Sequence, residues 1–457
     1  MSFSVVILAA GMGTRMSSKK PKSLQVLAGS SMLKHILSEA DKLNPDKIIV
    51  VHSPKDAGLI EKETKTFNKV VLAEQKEALG TGHAVKVAKR YIKDKYDVLV
   101  LLGDVPLIKA RSLKKLIKGL KKSDLMVLTA EIDKPSGYGR IKRGENGAVQ
   151  AIIEESECNK TEKKIKEINS GIIAFSKNNI NKLLEDLDAR NNKGEYYLTD
   201  TIINAYKNKL TIETIITNSK EVLGVNNKKD LAEAERLKRE EAANNLMEQG
   251  VTLCDPTRID VRGTLKCGKD VFIDANTVFE GNVELSSGVH IEPFVLISDS
   301  TIGKDTRVLS HTNIDKSTIG NNCSIGPHAR LRPGSKLKKN SRVGNFVEIK
   351  ESTIGEESKV NHLSYVGDTS IGNQSNIGAG TITCNYDGAQ KHKTKIGNNV
   401  FIGSGVELVA PITIEDGATV AAGSTLSKPV SKDKLAIERS KQKTIDGWQR
   451  PTKNKGK

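Results

Sequence analysis

Five short segments carry side chains able to do chemistry. In the first, Gly11-Met12-Gly13-Thr14-Arg15-Met16 follows an apolar run and leads to Pro21-Lys22. Glycines after a strand let backbone amides approach a phosphate, and Arg15 and Lys22 can neutralise its charge. The segment is not the dinucleotide fingerprint, because its sixth position is Met16, nor a Walker loop, because no Gly-Lys-Ser/Thr follows. The second is a glycine turn, Leu79-Gly80-Thr81-Gly82-His83, just after Gln75. In the third, Leu102-Gly103-Asp104-Val105-Pro106, the aspartate ends the most apolar run of the chain. There it is well sited for a Mg²⁺ that bridges substrate phosphates, although a helix N-cap or a turn would use the same residue. The fourth, residues 346–365, gathers Glu348, Lys350, His362 and Tyr365. A carboxylate beside an imidazole raises its basicity and fixes its tautomer, so Glu348 and His362 read as a general base and its support. The fifth, Thr383-Cys384-Asn385-Tyr386-Asp387-Gly388, opens a loop bearing lysine and histidine.

Two scaffolds must position these groups. Residues 1–226 alternate short apolar runs (VVILAA, KIIVV, DVLVLLGD, DLMVLTA, INSGIIAF) with longer mixed segments. Buried parallel strands joined by helices have this pattern, and in such open sheets ligands gather at the carboxyl ends of the strands. Residues 227–250 lack proline, carry glycine only at their end, Gly250, and are rich in Ala, Glu, Lys and Leu, as expected of a single linking helix without a catalytic role.

From 251 to 457 the pattern changes. An aliphatic or aromatic residue recurs every sixth position from Ile273 through Phe279, Leu285, Ile291 and Ile297, and the beat persists to Leu426. Neither a helix nor an ordinary strand has that period. A chain turning a triangular corner once per hexad does, because one branched side chain per face must point inward. Four steps are five residues long: Ile297 to Ile302, Ile314 to Ile319, Ile349 to Ile354 and Val366 to Ile371. Three of these carry near-identical text, ISDSTIG, IDKSTIG and IKESTIG, so the short corner is a repeated device. At about 18 residues per coil, roughly nine coils are expected. His362 lies two places after the inward Val360 and should point outward or sit at a corner. Glu348, 14 residues earlier, is then expected nearly one coil below and within hydrogen-bonding reach. The one long break falls between Ile382 and Ile396.

Composition excludes some partners. The net charge is +17 over 457 residues, yet aromatics make up only 4% and the lysines are scattered, which argues against nucleic acid. Local positive charge would instead serve polyanionic small ligands. Cys158, Cys254, Cys267, Cys323 and Cys384 show no metal spacing and are odd in number, as expected of reduced thiols in the cytoplasm. No signal peptide or membrane span is expected, since the early apolar run Val5–Ala10 is far too short.

LAAGMGTRM, the lysine seven residues beyond Arg15, GTGHA, GDVPL, GYGR and GEYYLTD occur in one order, followed by the hexapeptide half. In this the whole chain resembles the family of bifunctional N-acetylglucosamine-1-phosphate uridylyltransferases/glucosamine-1-phosphate N-acetyltransferases. The resemblance implies a Rossmann-like α/β nucleotidyltransferase domain followed by a left-handed parallel β-helix of hexapeptide repeats. It implies acetylation of glucosamine 1-phosphate by acetyl-CoA, then UMP transfer from UTP to N-acetylglucosamine 1-phosphate, feeding peptidoglycan and lipopolysaccharide synthesis. Leu8, Ala9, Ala10, Gly11, Lys22, Gln75, Gly80, Thr81 and Gly103 would hold the uridine nucleotide, with Arg15 and Lys22 catalytic through charge. Gly139, Glu154 and Asn169 would contact the sugar, and Asp104 and Asn226 would bind Mg²⁺. Leu102 stands where relatives often carry a hydrogen-bonding residue.

In the second half, the resemblance implies that Arg332, Lys350, Tyr365 and Asn376 hold the acetyl acceptor, with Arg332 and Lys350 on its phosphate. His362 would deprotonate the amine with Glu348 behind it. Ala379, Asn385, Tyr386, Ser404, Ala422 and Arg439 would bind acetyl-CoA, and Cys384 would be a bystander. The likeness also implies a homotrimer, with part of the tail, including Arg439, on a neighbouring subunit. Two other readings compete: a single-activity nucleotidyltransferase with a regulatory prism, and a non-enzymatic trimerisation scaffold. A regulatory prism needs neither a general base nor a coenzyme loop, and a scaffold needs none of the phosphate-type features.

Overall fold

The computed structural model describes residues 2–11, 13–190 and 194–451, so Met12 of the glycine loop and residues 452–457 of the tail lie outside the described residues. The chain folds as two compact units, Met1–Glu241 and Ala242–Lys457.

The first unit is built on a nine-stranded sheet. Its main path runs 212–217, 125–131, 167–175, 97–102, 3–8, 48–52 and 70–74, with a hairpin of 140–143 and 149–153 beside it. Phe3–Leu8 pairs in parallel with both Ile48–His52 and Asp97–Leu102. Its side chains alternate between two cores: Val5 and Ile7 pack with Leu99 and Leu101 on one face, Val6 with Val98 and Val100 on the other. Burial on both faces explains why these segments read as unbroken apolar runs. The order reverses around Phe3–Leu8, so the loops after Leu8, Glu74 and Leu102 converge at one edge, the switch point where open α/β sheets bind ligands. Between strands, helices bury one stripe each; Thr81–Lys89, for instance, turns Ala84, Val85 and Ala88 inward.

The Lys228–Glu248 helix is more than a tether. Within the first unit its Ala234 and Leu237 pack with Leu27, Met32, Leu107 and Val225. Gly250, with φ +89°, ends it.

The second unit is a parallel β-helix. One face is an 11-stranded sheet and a 17-stranded sheet supplies the others, every pairing parallel. Hexad residues from Ile273 to Leu426 form one continuous buried core. Eleven strands on one face exceed the nine coils expected, because Thr252–Leu253 and Leu435–Ala436 add end strands whose partly exposed side chains do not advertise the beat.

The short corners have a common construction. Asp299, Lys316, Glu351 and Asp368 adopt left-handed φ of 42–50°, and each is followed by a buried Ser or Thr. The hydroxyls of Ser300, Ser317, Ser352 and Thr369 donate to the carbonyl two residues back, at 2.6–2.8 Å. Two of these hydroxyls also accept an amide of the next coil: Ser317 N–H donates to Ser300 Oγ at 3.0 Å and Thr369 N–H to Ser352 Oγ at 2.9 Å. One hexad position is corrected: Ile382 is exposed, and Thr383, buried, takes the inward place in register with Leu408.

Candidate active sites

In the first unit, a cavity of about 330 Å³ opens where the three loops converge. Leu8, Ala9, Ala10 and Gly11 form one wall, Gln75, Gly80 and Thr81 a second, and Lys22, Gly103 and Asp104 a third. An adjoining cavity of about 430 Å³ carries Arg15, Gly139, Glu154, Asn169 and Asn226. The two share Thr81, Leu102 and Asp104. All residues expected to hold the nucleotide, the sugar and the metal therefore fall in two contiguous spaces.

Lys22 ties the site together. Its ammonium donates to Asp104 Oδ2 and, at 2.8 Å, to Asn226 Oδ1, which also accepts from Arg15 Nη2 at 3.0 Å. Val225 N–H donates to the Asp104 carbonyl at 2.8 Å, so the 224–226 loop is stitched to the end of the apolar strand. Two hard oxygens, one anionic and one neutral, thus both accept from the Lys22 ammonium. That donor set fits Mg²⁺, which takes few protein ligands and completes its shell with phosphate and water.

Asn169 reaches the second cavity through a register shift in Glu167–Phe175, between Asn169 and Ile173. Its Oδ1 accepts from Gly171 N–H at 2.9 Å. Gly171 has φ +77°, and a Cβ there would fall 2.2 Å from Leu102 Cδ1. Bulges beside binding sites commonly re-aim side chains in this way. Leu102 lines both cavities and offers them only hydrocarbon. Sequence reasoning missed Tyr138 and Arg140 of the GYGR segment. The Tyr138 hydroxyl accepts from Gly224 N–H at 3.4 Å, linking the 136–139 loop to the 224–226 loop across the second cavity. Arg140, fully buried, donates to the Tyr138 carbonyl and to Glu155 at 2.6 Å.

In the second unit the central correction concerns His362. It is exposed on the strand Lys359–His362, and its Nδ1 lies 2.8 Å from Asn345 Oδ1, not beside Glu348. The coil beneath His362 contains a short corner and is 17 residues long, which makes Asn345 its register partner. Glu348 lies on a different face, pairs in register with Tyr365, and accepts from Arg332 at 2.8 Å, with Arg330 at 3.6 Å. The expected support of His362 by Glu348 is thus replaced by a neutral acceptor.

Around Glu348 three of the four acceptor-binding candidates, Arg332, Lys350 and Tyr365, lie on successive coils. Lys350 lies 3.5 Å from Asp368, which also accepts from Asn385 Nδ2. Gly367 is packed so closely by the Tyr365 hydroxyl and Asn385 that a Cβ would clash with both. Lys391, unmentioned by the repeat, is brought beside Lys350, and that second ammonium is the first cause of its lowered pKa. The loop that carries it is a hairpin, with Tyr386 bridged to Lys391 and Asp387 paired to His392 at 2.6 Å. Asp387 is held far below the usual carboxylate range, first by the Gln390 amide and then by His392.

Three of the coenzyme-binding candidates, Ala379, Ser404 and Ala422, share a ladder with His362. The Asn345 carbonyl accepts from Leu363 N–H, the His362 carbonyl from Gly380 N–H at 3.3 Å, the Ala379 carbonyl from Gly405 N–H at 2.7 Å and the Ser404 carbonyl from Gly423 N–H at 2.9 Å. Arg439 Nη1 closes it on the Ala422 carbonyl of its own chain at 2.8 Å. His362, Ala379, Ser404 and Ala422 therefore occupy one column, with Asn376 three residues before Ala379 on the same face.

Comparison with known proteins agrees with this division. The nucleotidyl transferase family matches residues 4–241, and the bacterial transferase hexapeptide (six repeats) family matches residues 316–351 and 393–428. The bifunctional protein GlmU of Nitrosomonas europaea is 47% identical over 470 residues, covering 99% of both chains. That of Cupriavidus necator is 49% identical over 452 residues, covering 98% of this chain and 99% of the relative. That of Marinobacter nauticus is 46% identical over 451 residues, with the same coverage.

Proposed function

Because this chain belongs to the family of bifunctional GlmU proteins, we propose that its two units hold two separate catalytic sites for consecutive reactions. The enzyme acetylates glucosamine 1-phosphate with acetyl-CoA and transfers UMP from UTP to N-acetylglucosamine 1-phosphate, giving UDP-N-acetylglucosamine and pyrophosphate. The reading of the sites rests on one observation: the Lys22–Asp104–Asn226 cluster belongs wholly to the first unit and the Asn345–His362 pair wholly to the second.

In uridylyl transfer, the sugar phosphate oxygen attacks the α-phosphorus of UTP and pyrophosphate leaves. No protein nucleophile is needed, only alignment and neutralised charge. Leu8–Gly11 and Gly103 offer backbone to the nucleotide, while Arg15 and Lys22 meet the phosphates. Gly139, Glu154 and Asn169 orient the sugar. Asp104 and Asn226 are the residues that would hold Mg²⁺, which supplies charge neutralisation across the phosphates when bound.

In acetyl transfer, Asn345 accepts from Nδ1–H of His362, which leaves Nε2 as the free base for the sugar ammonium. Arg332, Lys350 and Lys391 gather positive charge for the phosphate, with Tyr365 and Asn376 on the sugar. Acetyl-CoA lies along the column Ala379–Ser404–Ala422 toward Arg439, so its thioester arrives at the His362 end, with Asn385 and Tyr386 as its further contacts. The freed amine attacks the thioester carbonyl, and coenzyme A departs as thiol. Cys384 is not required as a carrier; burial first, and then Glu407, push its pKa up and disfavour a thiolate.

The working unit is a homotrimer of prisms. Along one corner Phe294, His311, His328 and Phe346 stack with ring centroids 4.8–5.2 Å apart, and both phenylalanines are exposed. A second copy would cover this edge. No helix of the described residues is long and apolar enough to cross a membrane. With five free thiols, we assign the enzyme to the reducing cytoplasm.

The test is an assay of purified protein that follows free thiol and pyrophosphate separately. With glucosamine 1-phosphate, UTP and Mg²⁺, pyrophosphate release should require acetyl-CoA; with N-acetylglucosamine 1-phosphate it should not. Equal pyrophosphate release from glucosamine 1-phosphate without acetyl-CoA would overturn the order of reactions.

A further inference from the structure

Gln75 follows the strand Val70–Glu74, lines the first cavity and is 6% exposed. Its carboxamide nitrogen has two acceptors within the protein: the Gly80 carbonyl at 3.2 Å and His83 Nδ1 at 3.1 Å. A carboxamide nitrogen carries two hydrogens, so both are committed. The Gly80 contact fixes which end is nitrogen, because a turned-over amide would set one carbonyl oxygen against another. His83 must then carry its hydrogen on Nε2 and present Nδ1 as an acceptor.

The turn that holds His83 is itself pinned. Gly82 N–H donates to the Tyr196 carbonyl at 2.8 Å, and Tyr196 N–H donates to the Leu79 carbonyl at 2.8 Å. Gly80 has φ +102°, and a Cβ there would stand 2.6 Å from the Tyr196 oxygen. The Lys86 ammonium lies over the Tyr196 ring, 4.9 Å from its centre. The imidazole is thus part of a fixed frame behind Gln75.

We infer that His83 is a specificity-determining residue that acts through Gln75. By taking the second amide hydrogen, it leaves Oε1 as the only group Gln75 can offer a nucleobase. The inference rests on the reading of this cavity as the UTP site. An acceptor-only Gln75 suits the N3–H of uracil and opposes the N3 lone pair of cytosine. Without His83, the freed amide hydrogen can be offered to cytosine, and discrimination falls.

The experiment compares kcat/KM for UTP and CTP in the full-length enzyme, with acetyl transfer followed in the same preparation as a check on integrity. His83→Leu should lower the UTP:CTP ratio by about tenfold, through KM for the nucleotide more than kcat. His83→Asn, which keeps an acceptor near the Nδ1 position, should hold the wild-type ratio. On a Gln75→Leu background, His83→Leu should have no further effect on the ratio. An unchanged ratio in His83→Leu, or an equal loss with and without Gln75, overturns the inference. A wild-type enzyme indifferent to the base would overturn the UTP reading itself, and the inference with it.

Discussion

His362 and Asn345 are register partners on adjacent coils, joined side chain to side chain at 2.8 Å. The bond is possible because the intervening coil has 17 residues. A carboxamide oxygen can only accept, so the partner of Asn345 is Nδ1–H and the outward nitrogen of His362 is left bare. Asn345→Leu should therefore lower kcat for acetyl transfer by about tenfold with little change in either KM, and leave uridylyl transfer intact. Steady-state kinetics of both half-reactions checks this; an unaltered acetyl-transfer kcat would remove Asn345 from the mechanism.

His362→Ala should reduce acetyl transfer by about 10²–10⁴-fold while pyrophosphate release from N-acetylglucosamine 1-phosphate stays at the wild-type rate. Equal loss of both activities in a folded protein would refute the division of labour between the units.

Asp104→Ala should give the reverse pattern. It removes the anionic oxygen facing Lys22 and the one carboxylate in the proposed metal pair. Uridylyl transfer should fall and need far more Mg²⁺, while acetyl transfer continues. Normal magnesium dependence in the variant would take Asp104 out of the metal site.

Asp200 carries a pH signature. Its carboxyl is pushed up to about 6, first by burial and then by the charges of Glu157, Asp188 and Glu154. Unfolded, it titrates near 3.8. Between these values the folded state holds more protons, so this group's contribution to stability falls as pH rises through the window, and the penalty persists above it. Asp200→Asn should thus stabilise the protein by on the order of 1 kcal/mol at about pH 7.5, with the gain shrinking toward about pH 5. Denaturant titrations at the two pH values check the sign.

Thr383→Val keeps the shape of the inward position and deletes the acceptor of Gly367 N–H, bonded at 2.8 Å. The buried amide would be left alone, at a cost of about 1–3 kcal/mol. Melting of the second unit should drop accordingly. KM for glucosamine 1-phosphate should rise, since Gly367 packs against Tyr365 and Asn385. An undisturbed melting temperature would show that the amide finds another partner.

The hexad beat determined the prism by itself, because each face must bury one side chain and the core admits little else. The repeated STIG text likewise announced the short corner, whose hydroxyl and left-handed residue are local matters. Apolar runs leading into Gly11 and Gly103 pointed to one ligand-binding edge, since a parallel sheet brings its carboxyl ends together. Only the tertiary structure decided the pairings. Lys22, Asp104 and Asn226 come from segments up to 204 residues apart, and no spacing rule joins them. Asn345 rather than Glu348 lies beneath His362 because stacking depends on the summed length of a whole coil, where one shortened corner moves every residue above it. Thr383 hid as an inward residue because a polar side chain breaks the aliphatic beat while still filling the core position.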